Sequence, residues 1–294
     1  MKVICRIFGG IGNQLFIYSA ARRLSIKNGA KLCLDIKSGF ESDFEYRRQY
    51  QLHHFSICAA EASPRERLEP FSKPRRYIKR SISELIQFER RNFISQDGND
   101  FDSRLLNLNL KHDVWLEGYW QSEGYFKDVE SIIRKELQII PPSDFRNTEL
   151  ALLIQSKMAI AVHVRFFDQP GDIITNDISK NYYHKAIALI EDKFPDAHYF
   201  IFSNKPSEVL KYIQFPINRN TIVSNNYGDE AAYADLWLMS LCKHFIIANS
   251  TFSWWGAWLS RYKKKLVIAP SNMITGGRMA WGFHGLLPDD WIKL

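Results

Sequence analysis

The stretch Asp235–Trp258 decides the fold, and it reads DLWLMSLCKH (235–244), FIIA (245–248) and NSTFSWWGAW (249–258). Apolar residues at helical spacing in the first part predict a helix. Phe245–Ala248 is too short for a helix, and its β-branched and aromatic residues are typical of a buried parallel strand. A hydroxyl-rich turn then opens a second helix. This order predicts an α/β protein with a parallel sheet.

The turn after this strand is polar, and contains Asn249, Ser250, Thr251 and Ser253. Open α/β sheets bind ligands at the carboxyl ends of their strands, and a helix N-terminus there offers unpaired N–H groups to an anion such as phosphate. The same residues are also good helix caps. Capping needs one hydroxyl and the turn has several, so an anion site and a simple cap both remain open.

The composition is that of an ordinary folded protein, with 294 residues, 46% hydrophobic and 24% charged, which fits two domains. A formal charge of +7 is compatible with nucleic acid, an anionic membrane or a phosphorylated substrate. Neither a leader-like N-terminus nor a bilayer-length apolar run is present, so we expect a cytoplasmic protein. The cysteines lack the spacing of a zinc or redox motif: Cys5, Cys33, Cys58 and Cys242.

The N-terminus predicts a βαβ unit, with strand Lys2–Phe8, turn Gly9–Gln14, helix Leu15–Asn28 and strand Lys31–Asp35. The glycines allow a ligand to approach the backbone closely, and Asp35 lies where dinucleotide sites keep a ribose carboxylate. The third glycine of the dinucleotide-binding motif Gly-x-Gly-x-x-Gly is missing, however, because Leu15 occupies its place. The pattern therefore favours a plain strand-end role for Asp35 over a nicotinamide or flavin site.

The segment 64–93 is basic and interleaved with aromatic residues, which could serve RNA or an anionic membrane. We favour a solvated helical insert at about 60–95, because glutamates balance part of the charge. Its basic residues are Arg65, Arg67, Lys73, Arg75, Arg76, Lys79, Arg80, Arg90 and Arg91.

Next, Asp100 and Asp102 form an Asp-x-Asp pattern, which its polar surroundings identify as a loop and not as a metal site.

Val114–Glu117 predicts another strand, followed by Tyr119, Trp120 and Gln121, which form either a sugar platform or part of a core. Ser122 predicts the cap of a helix that extends to Gln138. The sequence Pro-Pro-Ser at 141–143 then marks a domain boundary.

The second half contains a buried strand, Ile160–Val164, which carries His163 and is followed by Arg165. An arginine that ends an apolar strand needs a phosphate or a carboxylate partner, and Asp168 is the alternative to a ligand. The strand Tyr199–Phe202 leads to Asn204, which can bind a base edge or only stabilise a turn.

Together, GGIGNQ (9–14), LMSLCKH (238–244) and SWWGA (253–257) resemble the bacterial α-1,2-fucosyltransferases of glycosyltransferase family 11, over most of the chain outside 36–112. The resemblance implies a GT-B fold, with two Rossmann-like domains facing a cleft. Residues 1–142 would form the acceptor-side domain and 143–294 the GDP-sugar-binding domain. The chain departs from the family patterns His-x-Arg-Arg-Gly-Asp and Phe-Ser-Asp-Asp, since it has HVRFFD (163–168) and FSNK (202–205).

The resemblance implies an inverting, metal-independent transferase that moves L-fucose, or its 3-deoxy analogue L-colitose, from a GDP donor to the 2-hydroxyl of galactose in O-antigen assembly. Phe166 and Phe167 replace an arginine and a glycine, which would favour the less polar colitose. The expected partners are the GDP-sugar, a galactose-containing glycan and a membrane that carries a lipid-linked acceptor, without nucleic acid and without a cofactor. A non-catalytic nucleotide-sugar-binding protein is the alternative function.

The resemblance also implies roles for individual residues. The donor would contact Gly10, Gly12, Asn13, Gln14, His163, Arg165, Asn204, Ser250, Thr251 and Ser253. The acceptor would contact Tyr119, Trp120 and Gln121. Arg165 would stabilise the leaving diphosphate, because a metal-free transferase needs cations and N–H donors where negative charge develops. Asp168, and after it Asp172, are the candidates for the general base that deprotonates the acceptor.

Overall fold

A computed structural model describes residues 1–41, 43–44, 46–166, 178–224, 226, 228–274 and 280–294. The chain forms two compact domains. The N-terminal domain comprises Met1–Ile140 with Phe283–Leu286, and the C-terminal domain comprises Pro141–Gly282 with Leu287–Leu294. The short return segment is held by the backbone of His284, which accepts a hydrogen bond from Phe101 N (3.0 Å) and donates one to Asp100 Oδ1 (2.9 Å). The sequence analysis did not anticipate this return.

The N-terminal domain is built on a parallel sheet whose strands have the order β3-β2-β1-β5-β4. Its strands are β1 (Lys2–Arg6), β2 (Lys31–Asp35), β3 (Ala60–Glu61), β4 (Phe93–Ser95) and β5 (Val114–Glu117). Its helices are α1 (Ile11–Lys27), α2 (Ser72–Glu84), α3 (Arg104–Asn107) and α4 (Glu130–Glu136). The predicted β1-α1-β2 opening is confirmed.

The C-terminal domain repeats this architecture with the strand order β11-β10-β9-β6-β7-β8, again parallel. Its strands are β6 (Met158–Val164), β7 (Ala197–Ser203), β8 (Asn220–Val223), β9 (His244–Ile246), β10 (Val267–Ala269) and β11 (Ile292–Lys293). Its helices are α5 (Phe145–Ser156), α6 (Lys180–Lys193), α7 (Pro206–Tyr212), α8 (Ala232–Ser240) and α9 (Thr251–Leu259). The prediction of an α/β protein with two Rossmann-like domains is confirmed. Among the described helices, none is both long and apolar enough to span a bilayer.

Three of the four tryptophans in the stretch that decides the fold lie in the core. Trp254, Trp255 and Trp258 are buried and pack against one another. Helix α9 approaches α8 so closely that a Cβ on Gly256 would overlap the thioether of Met239. At the other end of α9, the Lys265 ammonium donates to carbonyls of the last turn, including Ala257 O at 2.8 Å. A cation there neutralises the negative end of the helix dipole.

Two predicted helix boundaries are wrong for reasons of local geometry. Helix α1 begins at Ile11 and not at Leu15, because Gly9 turns the chain with a φ of +77° and Gly10 is already its N-cap. Ser122 caps only a 3₁₀ turn, with Oγ accepting from Gly124 N at 3.1 Å. A continuous helix from Ser122 to Gln138 therefore does not form, and α4 starts later.

The predicted insert at about 60–95 contains a helix, α2, whose buried residues are Arg76 and Ser83, and its two ends also supply the short strands β3 and β4. The inner face of α2 carries Arg76, which is 7% exposed and bonded to the buried Asp35 carboxylate and to Ser38 Oγ (3.1 Å). Asp35 also accepts from the backbone N–H of Ser38 at 3.0 Å. Its oxygens are thus engaged within the domain, which excludes the ribose contact of a dinucleotide site.

Asp235 makes the stability of the C-terminal domain depend on pH. Its carboxylate lies in the first turn of α8 and accepts a hydrogen bond from Asn226 Nδ2 at 2.6 Å. Burial raises the pKa of this carboxyl group to about 7. Protonated Asp235 therefore stabilises the folded state. This contribution is complete below the pKa of the unfolded state, near 4, and it is lost as the pH rises to about 7.

We therefore expect Asp235→Asn to gain about 3 kcal/mol relative to the parent between pH 4.5 and pH 8. Burial lowers the pKa values of His163 and His244 to about 3 and about 4, which gives the opposite slope below their unfolded value. Only the difference between variant and parent melting curves therefore isolates Asp235. Asp144→Asn is the control, because hydrogen bonds from Asn147 lower the pKa of Asp144, so its difference from the parent should change only below about pH 4. A pH-independent difference for Asp235→Asn would contradict the assignment.

Candidate functional site

The strand order of the C-terminal sheet reverses between β6 and β9. Strand β6 pairs with β7 on one side and with β9 on the other, where Val162 lies opposite Ile246. In open α/β sheets the crevice at the carboxyl ends of two such strands is where ligands bind. His163 and Arg165, at the end of β6, and the N-terminus of α9, after β9, lie at this switch point.

His163 bridges the two sides of the switch point. Its Nδ1 lies 2.9 Å from Ser253 Oγ, and both side chains are buried. Burial, together with the charge of Arg165, lowers the pKa of His163 to about 3, so the imidazole is neutral. Tyr183 fixes the strand below by donating to His163 O at 3.0 Å. Because Ser253 is fully buried and holds His163, its hydroxyl is not placed for the phosphate contact predicted from the sequence.

The start of α9 combines a cap with an open helix end. Ser250 is the N-cap, and its Oγ accepts from Phe252 N at 3.3 Å, so the capping interpretation is confirmed for this residue. Thr251 is the first helical residue and is half-buried, and the first turn contains no acidic side chain. The positive end of the helix dipole and Arg165 thus give this edge of the sheet a positive potential.

Asn204 holds the backbone next to Arg165. Its Oδ1 accepts from Phe166 N at 3.0 Å, and its Nδ2 donates to Phe166 O at 2.8 Å. An amide can both accept and donate, whereas a carboxylate only accepts. The asparagine at this position therefore suits a backbone clamp, and these two bonds engage the atoms that were predicted to contact guanine or ribose.

Phe166 faces its own domain. Its ring packs edge-on against Tyr212, at 5.4 Å between centroids, beside the C-terminal core. This contact is with protein side chains, so it gives no support to the expectation that Phe166 favours colitose. Phe167, Asp168 and Asp172 lie outside the described residues.

The N-terminal sheet has its own switch point, between β1 and β5. Gln121 Nε2 donates to Asn13 Oδ1 at 2.8 Å, which links the turn after β5 to the first turn of α1. The Tyr119 ring lies 4.8 Å from that of Phe8. A Cβ on Gly9 would come within 2.9 Å of Asn13 Nδ2, so the glycine is required for this close packing. Residues assigned separately to donor and acceptor thus meet at one edge.

Gln14 is tied into the domain. It is fully buried, donates to Gly9 O (2.9 Å) and Gln49 O (2.8 Å), and accepts from Gln51 N (2.9 Å). The predicted donor contact of Gln14 is therefore replaced by a link between the α1 start and the chain at 49–51. Gly12 is likewise buried, within α1, whereas Gly10 lies at its N-cap.

Trp120 is 1% exposed, and its ring packs edge-on against Tyr125 at 5.5 Å. A buried ring cannot present a face to a sugar, so the core alternative is the correct one for Trp120. Gln96 shapes this turn, because its Oε1 accepts from the N–H groups of Tyr119 (2.8 Å) and Trp120 (2.9 Å). Tyr119 and Gln121 remain the candidates for acceptor contacts.

Arg48 is a further candidate for the functional site, and it was not predicted from the sequence. Its guanidinium lies 3.6 Å from the position that a Cβ of Gly10 would occupy, beside the N-terminus of α1. The surrounding stretch has no clear periodicity, and only the charge of the residue could have indicated it. Within the residues that the structure describes, no group of three His, Cys, Asp or Glu side chains is placed to hold a metal ion.

Comparisons with known proteins identify several similar chains. A model of glycosyl transferase family 11 matches residues 5–293. The α-1,2-colitosyltransferase of Escherichia coli is 27% identical over 99% of this chain and 98% of that protein. The O-antigen biosynthesis glycosyltransferase WbnK of Escherichia coli is 30% identical over 97% of this chain and 98% of that protein. Among solved structures, the fucosyltransferase NodZ from Bradyrhizobium has a TM-score of 0.47 and 17% identity over 88% of this chain and 92% of that one.

The family match extends over both switch points and over the stretch that decides the fold. It favours a transferase over the alternative of a non-catalytic nucleotide-sugar-binding protein. The chain therefore belongs to glycosyltransferase family 11.

Proposed function

We propose that the protein transfers a 6-deoxy-L-hexose, L-colitose or L-fucose, from its GDP donor to the 2-hydroxyl of a galactose in an O-antigen glycan. The observation that carries this proposal is the match along nearly the whole chain to an α-1,2-colitosyltransferase. An O-antigen glycosyltransferase of similar coverage supports the same acceptor class. The positive edge formed by Arg165 and the α9 N-terminus suits a diphosphate leaving group.

In the proposed reaction the acceptor 2-oxygen attacks the anomeric carbon from the face opposite the diphosphate. The bond between that carbon and the β-phosphate oxygen breaks, and GDP leaves with the electron pair. The β-linked donor therefore gives an α-linked product. The acceptor proton passes to a general base, for which Asp168 and Asp172 stay the predicted candidates. Arg165 offsets the charge that the leaving diphosphate gains.

The proposal is tested by measuring kcat/KM for GDP-L-fucose and GDP-L-colitose with one galactose-terminated acceptor. We expect turnover with both donors, at rates that differ by no more than about 10²–10³-fold, provided that the site makes no hydrogen bond to the 3-hydroxyl. Binding of both donors without transfer would support the non-catalytic alternative. A stronger preference for fucose would restrict the proposal to a fucosyltransferase with a polar contact to the 3-hydroxyl.

We expect catalysis without a metal ion. Asp102 forms an ion pair with Arg104 at 2.7 Å, and Asp100 accepts from His284 N, so the Asp-x-Asp carboxylates are engaged in the fold. Activity should survive EDTA, and Asp100→Ala with Asp102→Ala should lower kcat by less than about threefold, because positive protein groups replace a cation. Turnover that is lost on chelation and restored by Mg²⁺ or Mn²⁺ would contradict this prediction.

We place the reaction in the cytoplasm at the inner face of the membrane, with a soluble nucleotide sugar as donor and a lipid-linked glycan as acceptor. The basic charge of the chain, +7 in total, favours an anionic leaflet.

A further inference from the structure

Helix α2 exposes an apolar stripe. Phe71, Ile78, Ile82 and Leu85 are 74%, 54%, 55% and 88% exposed. The spacing of four and three residues places Ile78, Ile82 and Leu85 on one face of the helix, and Phe71 precedes this face as the N-cap. A surface helix of a globular protein normally turns such a face toward the core. In α2 the apolar face is directed outward.

The opposite face of α2 is polar and fixed to the N-terminal domain. Arg76 is paired with Asp35 and lies 3.5 Å from Glu117, whose other oxygen accepts from Arg80 at 3.0 Å. Near the helix end, the buried Ser83 donates to Asn92 Oδ1 at 3.2 Å. These bonds orient the helix with its apolar stripe away from the domain. The stripe faces outward because Arg76, Arg80 and Ser83, on the other face of α2, have their partners inside the domain.

Cations flank the stripe. The helix segment 72–84 carries five basic residues, of which Arg76, Lys79 and Arg80 face the domain, and a single acidic residue, Glu84. Lys73, Arg75 and, just after the helix, Arg90 are exposed. An exposed apolar face bordered by lysine and arginine is the pattern of helices that lie in the interface of an anionic bilayer. Each basic residue near such a surface adds electrostatic attraction, which salt screens.

We propose that α2, with Phe71 and Leu85, binds the surface of an anionic lipid bilayer. This inference rests on the proposed function in one respect, which is that a lipid-linked acceptor brings the protein to the membrane. It assigns the membrane contact to α2. Bound to lipid, the stripe buries its apolar side chains among acyl chains while the flanking cations meet lipid phosphates. RNA offers phosphates but no apolar surface for isoleucine and leucine, so the stripe favours lipid.

The test is sedimentation with vesicles of about one third phosphatidylglycerol in phosphatidylethanolamine, without donor or acceptor. We expect the parent to bind these vesicles, and to bind neutral phosphatidylcholine vesicles at least about tenfold more weakly. The triple variant Ile78→Ser, Ile82→Ser, Leu85→Ser should lower the partition coefficient by about tenfold or more. Lys73→Gln with Arg90→Gln should weaken binding to the anionic vesicles only.

The matched control replaces exposed apolar residues of the C-terminal domain, with Leu152→Ser, Leu210→Ser and Ile217→Ser. This control should bind vesicles like the parent, and all variants should keep their activity on a soluble acceptor. Vesicle binding that is absent in the parent, or equal in parent and stripe variant, would overturn the inference. A parent dimer that dissociates in the stripe variant would assign the stripe to self-association instead. Because the assay needs no turnover, its outcome is independent of the donor experiment.

Discussion

Arg165→Ala should lower kcat by about 10²–10³-fold while shifting the melting temperature by less than about 2 °C. Arg165 follows the buried strand β6, and its charge contributes to the low pKa of His163, which shows that it lies near the switch point. Asn204 fixes the backbone of the next residue. A cation held in this way stabilises the charge of the departing diphosphate without reorganisation, and its loss acts on the transition state.

The measurement is steady-state kinetics at saturating donor, combined with thermal unfolding. Arg165→Lys should keep part of the activity, because it supplies a point charge without the bidentate fork. Arg261→Ala removes an exposed arginine of the same domain and serves as the control for net charge. Near-normal kcat in Arg165→Ala would remove Arg165 from leaving-group stabilisation. A large fall in melting temperature would instead assign it to the structure.

Periodicity predicted inner strands of both sheets, because buried parallel strands leave a clear signal, and it did not predict the edge strands β3, β4, β8 and β11. The strands at Lys31–Asp35 and Val114–Glu117 have the predicted bounds, and β6 differs from its prediction only by starting at Met158. The first residue of α1 could not be predicted from apolar periodicity. Its first residues are glycine and polar, so the apolar pattern begins only after one helical turn. The positive φ of Gly9 is the feature that sets the true start.

Long-range partners explain the remaining differences. Ser253 meets His163 across 90 residues, and Arg76 meets Asp35 across 41 residues. A hydroxyl at a helix start has the same sequence pattern whether it binds a ligand or a buried histidine. Likewise, Asn13 and Gln121 meet because β1 and β5 are neighbours, and strand order is set by the packing of the whole sheet. Local sequence can therefore predict that an edge is polar without predicting which atoms are already engaged there.

Asp35→Ala should be the most destabilising single change in the N-terminal domain that removes a charge. It leaves the Arg76 guanidinium buried beside Ser38 and Glu117, and that glutamate also pairs with Arg6 and Arg80. Removing one partner of a buried ion pair costs about 3–5 kcal/mol, because the remaining charge stays out of water. For a domain of this size we expect the melting temperature to fall by about 6–20 °C. The measurement is calorimetric or spectroscopic thermal unfolding at neutral pH.

The double variant Asp35→Val with Arg76→Met should recover at least half of this loss, because apolar residues of similar size restore packing and no charge remains buried. Glu208→Ala is the matched control. It removes one partner of an exposed ion pair with Lys211, so it should change stability by less than about 1 kcal/mol. If Asp35→Ala melts within about 2 °C of the parent, the pair does not hold α2. Its outward apolar face would then need another cause.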